Sequence, residues 1–355
     1  MSQERIGQQR LISQHVARPN SDDPAETVRR LGAVQAQDYL GALWAVGLRT
    51  LGATERSVER ALAEARIVRT WPIRGTIHFV TPEDARWMLA LLTPRVVRLG
   101  QARLRGLDID AATLAASEGV LSRALEGGRQ LTRPELYAEL ERAGIAAGGQ
   151  RGLHILGQLS MAGVLCFGAR AGKQPTFTLL DEWVPAAPPL PRDEALASLA
   201  LRYFSSHGPA TLHDFVWWAG LTVSDARAGL AAAAEQLAHT TRDGRDYYAA
   251  PQRAADGADD LFLLPPFDEF LMAYRDRTAV LDPAHADKIV PGANGIFNPI
   301  VVIGGRVVGT WRRELKPGRV ALSVSGFGEL GTLDPEELEA VGARYGHFLG
   351  AQPAW

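Results

Sequence analysis

The stretch "RIVRTWPIRGTIHFV", residues 66–80, alternates apolar and polar side chains on both sides of Pro72 and carries Gly75 past its middle. A period of two broken by a glycine predicts two short strands, a β-hairpin or wing. Helical patterns flank it. Residues 5–15, 25–35 and "TERSVERALAEA" (54–65, capped by Thr54) precede the hairpin. "TPEDARWMLALL" (81–92) follows, with Thr81 as cap, Pro82 in the first turn and acidic residues favouring that helix end. Helices followed by a hairpin is the winged-helix order.

The order recurs along the chain. "LTRPELYAELERAG" (131–144) has Thr132 and Glu135 at capping-box spacing and Gly144 at its stop. A second helix, "QRGLHILGQLSMAG", leads into "VLCFGARAGKQPTFTLL", read as strand, turn, strand. After the Pro-rich spacer "WVPAAPPLPRDE" (183–194), "ATLHDFVWWAGLTVSDARAGLAAAAEQL" reads as helix–turn–helix, with Thr222 or Ser224 as cap. Asp243-Gly244 then signals a third hairpin turn. The remainder differs: β-rich runs surround Gly304-Gly305, a strand is expected over 318–330, and "LDPEELEAVGARYGHFLGA" (333–351) is helical. The expected fold is α+β: tandem winged-helix units at 1–105, 106–186 and 187–255, then a β-rich module at 256–355 with the terminal helix packed on it.

Composition sets outer bounds. The chain has 355 residues, enough for two or three domains, and a net charge of −2 that favours no partner class. No apolar run has signal-peptide or membrane-spanning character, so a cytoplasmic protein is expected. The one cysteine, Cys166, sits in an apolar run and reads as a small core residue. The eight histidines show no metal-ligand spacing, and no metal or cofactor is expected. Lysine occurs only at 173, 288 and 316, so the basic residues are nearly all arginine, suited to bidentate phosphate contact. GC-rich coding accounts for most of such an excess. Local clusters at 95–105 and at 275, 277, 312 and 313 are compatible with either origin.

"VQAQDY", residues 34–39, places two amides one residue apart beside a single carboxylate. In a helix Gln35 and Gln37 point apart. In extended chain they share a face, with Cα atoms ~6.5–7 Å apart. Only if the helix has ended can they bracket one water between two carbonyl acceptors and two amide donors. The alternative is a pair of surface residues at a helix end. Glutamine is a poor general acid or base, so a site built on it suits a reaction needing little proton transfer.

With these residues in place, the chain resembles the bacterial winged-helix DNA glycosylases, which include the azinomycin-resistance and interstrand-crosslink glycosylases. Gln35-Ala36-Gln37 matches the Gln-apolar-Gln signature of the first branch; the other branch carries Gln-apolar-Asp. "RTWPIRGTIHFV" (69–80), "LLPPFDEFLMAYRDR" (263–277) and "NPIVVIGGRVVGTWRRE" (298–314) extend the resemblance over almost the whole chain. It implies a C-shaped body acting on double-stranded DNA that contains alkylated purines, as a monomer without membrane contact, and catalytic roles for Gln35 and Gln37. Alkylation at purine N7 makes the base a cationic leaving group. The protein then has only to hold a water at C1′ and stabilise an oxocarbenium-like sugar.

Asp38 would lend support from the opposite face. Arg74, Thr76 and His78 alternate, either as phosphate contacts or as half-buried strand residues bonded to nearby backbone. The tip Gly304-Gly305-Arg306 resembles the family's DNA-inserting hairpin, a narrow shape that suits a minor groove; the alternative is a surface turn. Arg312 lies further along the same run. Asp268 is expected to pair with Arg275 or Arg277 across a domain interface. Trp217-Trp218 and Trp311 are either base-stacking or core residues. A non-catalytic DNA-binding regulator and a protein-interaction scaffold are the competing readings, because winged helices serve both.

Overall fold

The computed structural model describes residues 3–251, 260–328 and 334–355, in a mixed α+β arrangement. Six short strands come first: β1 (Val34–Gln35), β2 (Val68–Ile73), β3 (Thr76–Val80), β4 (Leu131–Thr132), β5 (Leu165–Phe167) and β6 (Thr176–Leu179). The expected wing is β2–β3. Its two-residue turn has Arg74 at φ 53° and Gly75 at φ 72°, the doubly positive geometry that matches strand twist in tight hairpins. The register slips between Thr70 and Ile73, where Pro72 has no N–H for the ladder.

The helix expected over 25–35 stops earlier. It spans Pro24–Leu31, and Gly32 takes φ 80° and donates its N–H to the Arg29 carbonyl. The chain that follows is therefore extended, and β1 pairs antiparallel with β3, Gln35 opposite His78. The β5–β6 hairpin then joins edge to edge through Arg69 opposite Phe167, giving one sheet in the order β1-β3-β2-β5-β6-β4. Trp71 stacks on Phe167 with ring centroids 4.8 Å apart, sealing the junction. Two wings that the sequence assigns to separate units are thus halves of a single sheet.

Several caps follow the sequence. Thr54 accepts from the Ser57 N–H, and the Thr132–Glu135 box closes. Of the two candidates in the third unit it is Thr222 that caps, accepting from Asp225 N–H at 3.1 Å. Thr81 holds the cap position but donates its hydroxyl to the Asp84 carboxylate instead of accepting from backbone. The third hairpin, β7 (Ala238–Arg242) and β8 (Arg245–Ala249), turns at Asp243-Gly244. The boundary expected at 255/256 lies outside the described residues.

A second sheet follows, with β9 (Leu261–Leu264), β10 (Ile300–Ile303), β11 (Arg306–Lys316), β12 (Arg319–Gly326) and β13 (Gln352–Ala354) in the order β13-β12-β11-β10-β9. Residues 329–330 of the expected strand lie outside the described residues. The Pro335–Leu349 helix packs back through Tyr345 and Phe348, both against Trp44 near the start of the chain. Leu11, Val28, Leu43 and Phe79 accordingly share one buried cluster with Leu264, Val301, Trp311 and Phe348. Trp44 and Trp311 donate their indole N–H groups to the Leu263 and Leu264 carbonyls, both at 2.8 Å. A second cluster centres on Tyr203, Phe215 and Trp218, and a third on Leu121, Leu136 and Ile155. Cys166 is buried, and burial pushes its thiol up and leaves it unreactive at neutral pH. No helix among the described residues is long and apolar enough to cross a membrane.

Candidate active site

The extended backbone after Gly32 brings the glutamine motif onto the sheet edge. Ala36 N–H donates to the Ile77 carbonyl at 2.7 Å. One step on, the Gln37 side-chain oxygen accepts from Ile77 N–H at 3.1 Å, taking the place of a backbone acceptor. Gln37 is exposed, whereas Gln35 is 5% exposed and its amide oxygen accepts from the Arg74 guanidinium at 3.3 Å. The two amides are therefore unequal: one faces solvent and one lies against a cation. Each amide carbonyl has two lone pairs, so each keeps one beyond the bond just described.

Beneath Gln35 lies a buried carboxylate. Glu269, 2% exposed, accepts from Gln35 backbone N–H at 3.1 Å with one oxygen and from Trp218 Nε1–H at 3.0 Å with the other. His207 Nε2 stands 3.6 Å from that second oxygen. Burial by itself pushes the Glu269 carboxyl upward, but His207, His78 and Arg74 facing it outweigh burial and hold it below its usual value. His78 is fully buried, and burial together with Arg74 pushes it down to about 4. It is neutral at pH 7. Its Nδ1 lies 2.9 Å from the Thr76 carbonyl, which can only accept, so Nδ1 carries the proton and Nε2 is left as an unpartnered acceptor.

Glu269 is held in place by its neighbour. Asp268 caps the Glu269–Met272 turn by accepting from Phe270 N–H at 2.9 Å. Its partner is neither Arg275 nor Arg277 but Arg49, which grips both carboxylate oxygens at 2.8 Å. Arg49 also donates to the Ala45 carbonyl and to the Gln14 carbonyl and side-chain oxygens, and both ends of the pair are 1% exposed. Arg277 instead donates to the Leu271 carbonyl at 2.8 Å, and Arg275 N–H reaches Asp214 at 3.0 Å. The end of the Tyr39–Leu48 helix meets the start of the Glu269–Met272 turn, which places Arg49 opposite Asp268 across 219 residues of sequence, a closeness that local pattern does not encode.

The remaining sequence candidates are distributed as follows. Asp38 is exposed and caps the Tyr39–Leu48 helix, accepting from Gly41 N–H at 2.6 Å. Arg74 hydrogen-bonds the Trp218 carbonyl as well as Gln35, and burial pushes its guanidinium down. Thr76 donates to the Ile73 carbonyl at 3.1 Å. Arg74 and His78 thus meet Gln35, with their bonds inside the protein. Trp218 and Trp311 are core residues; Trp217 is 42% exposed. Arg312 is exposed on β11.

Gly304 and Gly305 form the expected turn, at φ 54° and 78°. Its surroundings are not those of a free tip. A Cβ on Gly7 would stand 2.0 Å from the Gly305 oxygen, and one on Gly305 would stand 2.3 Å from Gln8 N. The Gln3–Ser13 helix covers the turn, and Arg306 is half-buried. The end of this sheet that faces solvent is the opposite one, the β11–β12 turn, where Leu315 is 55% exposed between exposed Glu314 and Lys316, with exposed Arg319 beyond. Gly7→Val is expected to lower stability by ~1–3 kcal/mol through overpacking. Gly100→Ala, whose Cβ would meet nothing within 4 Å, should raise it by ~0.5–1 kcal/mol. Urea melts of the two variants check the pair of signs.

A cleft of about 1570 Å³ opens beside the site, walled by Trp217, Arg277, Phe297, Arg10, Arg227 and Tyr247 among others. Neither glutamine lines it; it approaches through Trp217, whose neighbour Trp218 bonds Glu269 and Arg74. A smaller cavity of about 280 Å³ lies among Tyr39, Glu59, Arg69, Phe167 and Arg170. Cross-strand neighbours share a face, so Val34, Phe79, Arg69 and Phe167 lie on the sheet face opposite Gln35 and His78.

The sequence reading missed Glu269, His207 and Arg49, and it read Trp218 only as a base-stacking or core residue, not as a partner of a buried carboxylate. The one available signal was a pair of acids, Asp268-Glu269, inside the otherwise apolar run 261–274. Burying both requires partners.

The model of the AlkZ-like DNA glycosylase family matches residues 28–348, and the chain belongs to that family. It is 28% identical over 325 residues to the interstrand DNA cross-link repair glycosylase of Streptomyces sahachiroi, covering 85% of each chain. The solved structure of the Streptomyces sahachiroi DNA glycosylase AlkZ superposes with a TM-score of 0.81 at 25% identity, covering 99% of this chain and 98% of that one.

Proposed function

We propose that this glycosylase hydrolyses the N-glycosidic bond of cationic N7-alkylpurines in double-stranded DNA, bulky adducts and crosslinks included, with a water held by Gln35 and Gln37. The observation that carries the reading is the state of the acids. Asp38 is occupied as a helix cap, and Glu269 is buried and already accepts two hydrogen bonds. Neither carboxyl is placed to protonate a leaving base. Enzymes that expel a neutral leaving group keep an acid for that purpose. A site without one suits a base that brings its own charge, and unmodified purines should be poor substrates.

The relative named for cross-link repair supports crosslinked or bulky adducts as the natural substrates. The large cleft with its exposed Trp217 and nearby Arg277 offers room and a stacking surface for the non-nucleotide part of such an adduct. Recurrence of helices and hairpins supports tandem winged helices as the DNA-embracing frame, with Arg312 and the β11–β12 turn as groove or phosphate contacts.

The test is direct. DNA duplexes carrying N7-methylguanine, a bulky N7 adduct or no lesion are incubated with the protein and then treated with hot alkali. Strand breaks at the modified purines, absent from unmodified DNA, are expected. Tight binding without breaks would instead make the protein a DNA-binding regulator, and no binding even at low salt would remove DNA from the account.

A further inference from the structure

The amide offered to the sugar has an unfavourable neighbour. Gln35 Oε1 accepts from Arg74, so a full positive charge sits 3.3 Å from an oxygen meant to steady a developing sugar cation. Left unopposed, a cation at that range would slow base release severely. His78, neutral when buried, cannot oppose it. Among the described residues bonded to this cluster, Glu269 is the carboxylate. It reaches Gln35 through the backbone N–H at 3.1 Å, and Arg74 reaches the same cluster through Gln35 and the Trp218 carbonyl. The carboxylate also suits its hydrogen bonds: both partners, Gln35 N–H and Trp218 Nε1–H, are donors, so both oxygens must accept. Tyr203 and Tyr274 also face it, and both stay neutral because burial raises them.

We infer that Glu269 is a positioning residue for base release: it fixes the backbone at Gln35 and cancels the charge of Arg74, so that positive charge can build on the sugar above the Gln35 amide. Glu269 is buried, with Trp218 and His207 also on its second oxygen, and it acts on the site through Gln35 and Arg74 rather than on the substrate. The inference rests on the glycosylase reading of the two glutamines. It separates hydrogen bonding from charge, because only the charge role is undone by removing a second charge.

The experiment is a double-mutant cycle on N7-methylguanine duplex, read as single-turnover base release at saturating protein, with DNA affinity measured alongside. Glu269→Gln should slow release about 100-fold while leaving affinity within about 2-fold, the scale for an uncompensated charge ~5 Å from a developing one. Arg74→Gln added to it should restore the rate to within about 10-fold of wild type. A double variant as slow as Glu269→Gln, or slower, would overturn the inference and leave Glu269 a structural residue. Should Glu269→Gln lose the wild-type circular dichroism spectrum, the double variant is compared with Arg74→Gln alone. Rates within about 10-fold support charge balance, and a double variant about 100-fold slower overturns it. Wild-type release that disappears in Gln35→Ala/Gln37→Ala supports the parent reading whatever the Glu269 variants do, so the two fail separately.

Discussion

Gln35→Ala and Gln37→Ala are each expected to slow release of N7-methylguanine about 30–150-fold, the equivalent of ~2–3 kcal/mol of transition-state stabilisation. The double variant should be at least as slow as the slower single. If the amides share one water they act as a unit, and the combined loss falls short of the product of the two. If they act separately, the double loss approaches about 10³-fold or more. The structure makes the two singles distinguishable. Gln37 is exposed, so its loss frees Ile77 N–H to solvent and should leave stability within ~0.5 kcal/mol. Gln35 is buried against Arg74, so its loss strips that cation of a partner and should destabilise by ~1–3 kcal/mol. Rates at saturating enzyme, paired with urea melts, check both halves. Wild-type rates in the double variant would remove the glutamines from the mechanism.

Asp268→Ala is the substitution with the largest expected effect on stability, ~3–5 kcal/mol, because it leaves Arg49 charged, buried and unpaired. The pair is 1% exposed at both ends and bidentate, so the loss should be nearly independent of salt, unlike that of a surface ion pair. Replacing both partners, as in Arg49→Met/Asp268→Leu, should cost less than either single change, since no bare charge remains. Thermal melts at low and high ionic strength test this. A single variant that melts with the wild type would mean that solvent reaches the pair. Asp268 also caps the turn bearing Glu269, so base release should fall in Asp268→Ala below the temperature at which the protein unfolds.

What was legible in the sequence was local. The hairpin at 68–80 announced itself through alternation and Gly75, the Thr132 cap through its spacing to Glu135, the Thr54 cap through its place before a helical run, and Thr222 as one of two candidates. The helix ending at Leu31 was overrun by four residues, although Gly32 was the stop signal; apolar Ala33 and Val34 continued the pattern past it. The Gly304-Gly305 turn was readable, but not the helix that covers it, because a close approach between two glycines leaves no pattern in either segment. The pairing of Asp268 with Arg49 and the tie from Glu269 to Gln35 span 219 and 234 residues. Spacing rules reach a few residues, and such contacts are set by how whole elements pack.

The cluster that unites Leu11, Leu43 and Phe79 with Leu264, Val301 and Phe348 bears on how the enzyme is made. During synthesis the glutamine strand leaves the ribosome well before Asp268, Glu269 and the closing helix Pro335–Leu349. A chain that ends before Asp268 therefore holds the glutamines without the carboxylate beneath them and without the apolar layer that packs on the Tyr39–Leu48 helix beyond them. If the glutamines need that support, base release is expected only from chains that reach the closing helix, and a version ending before Asp268 should show none.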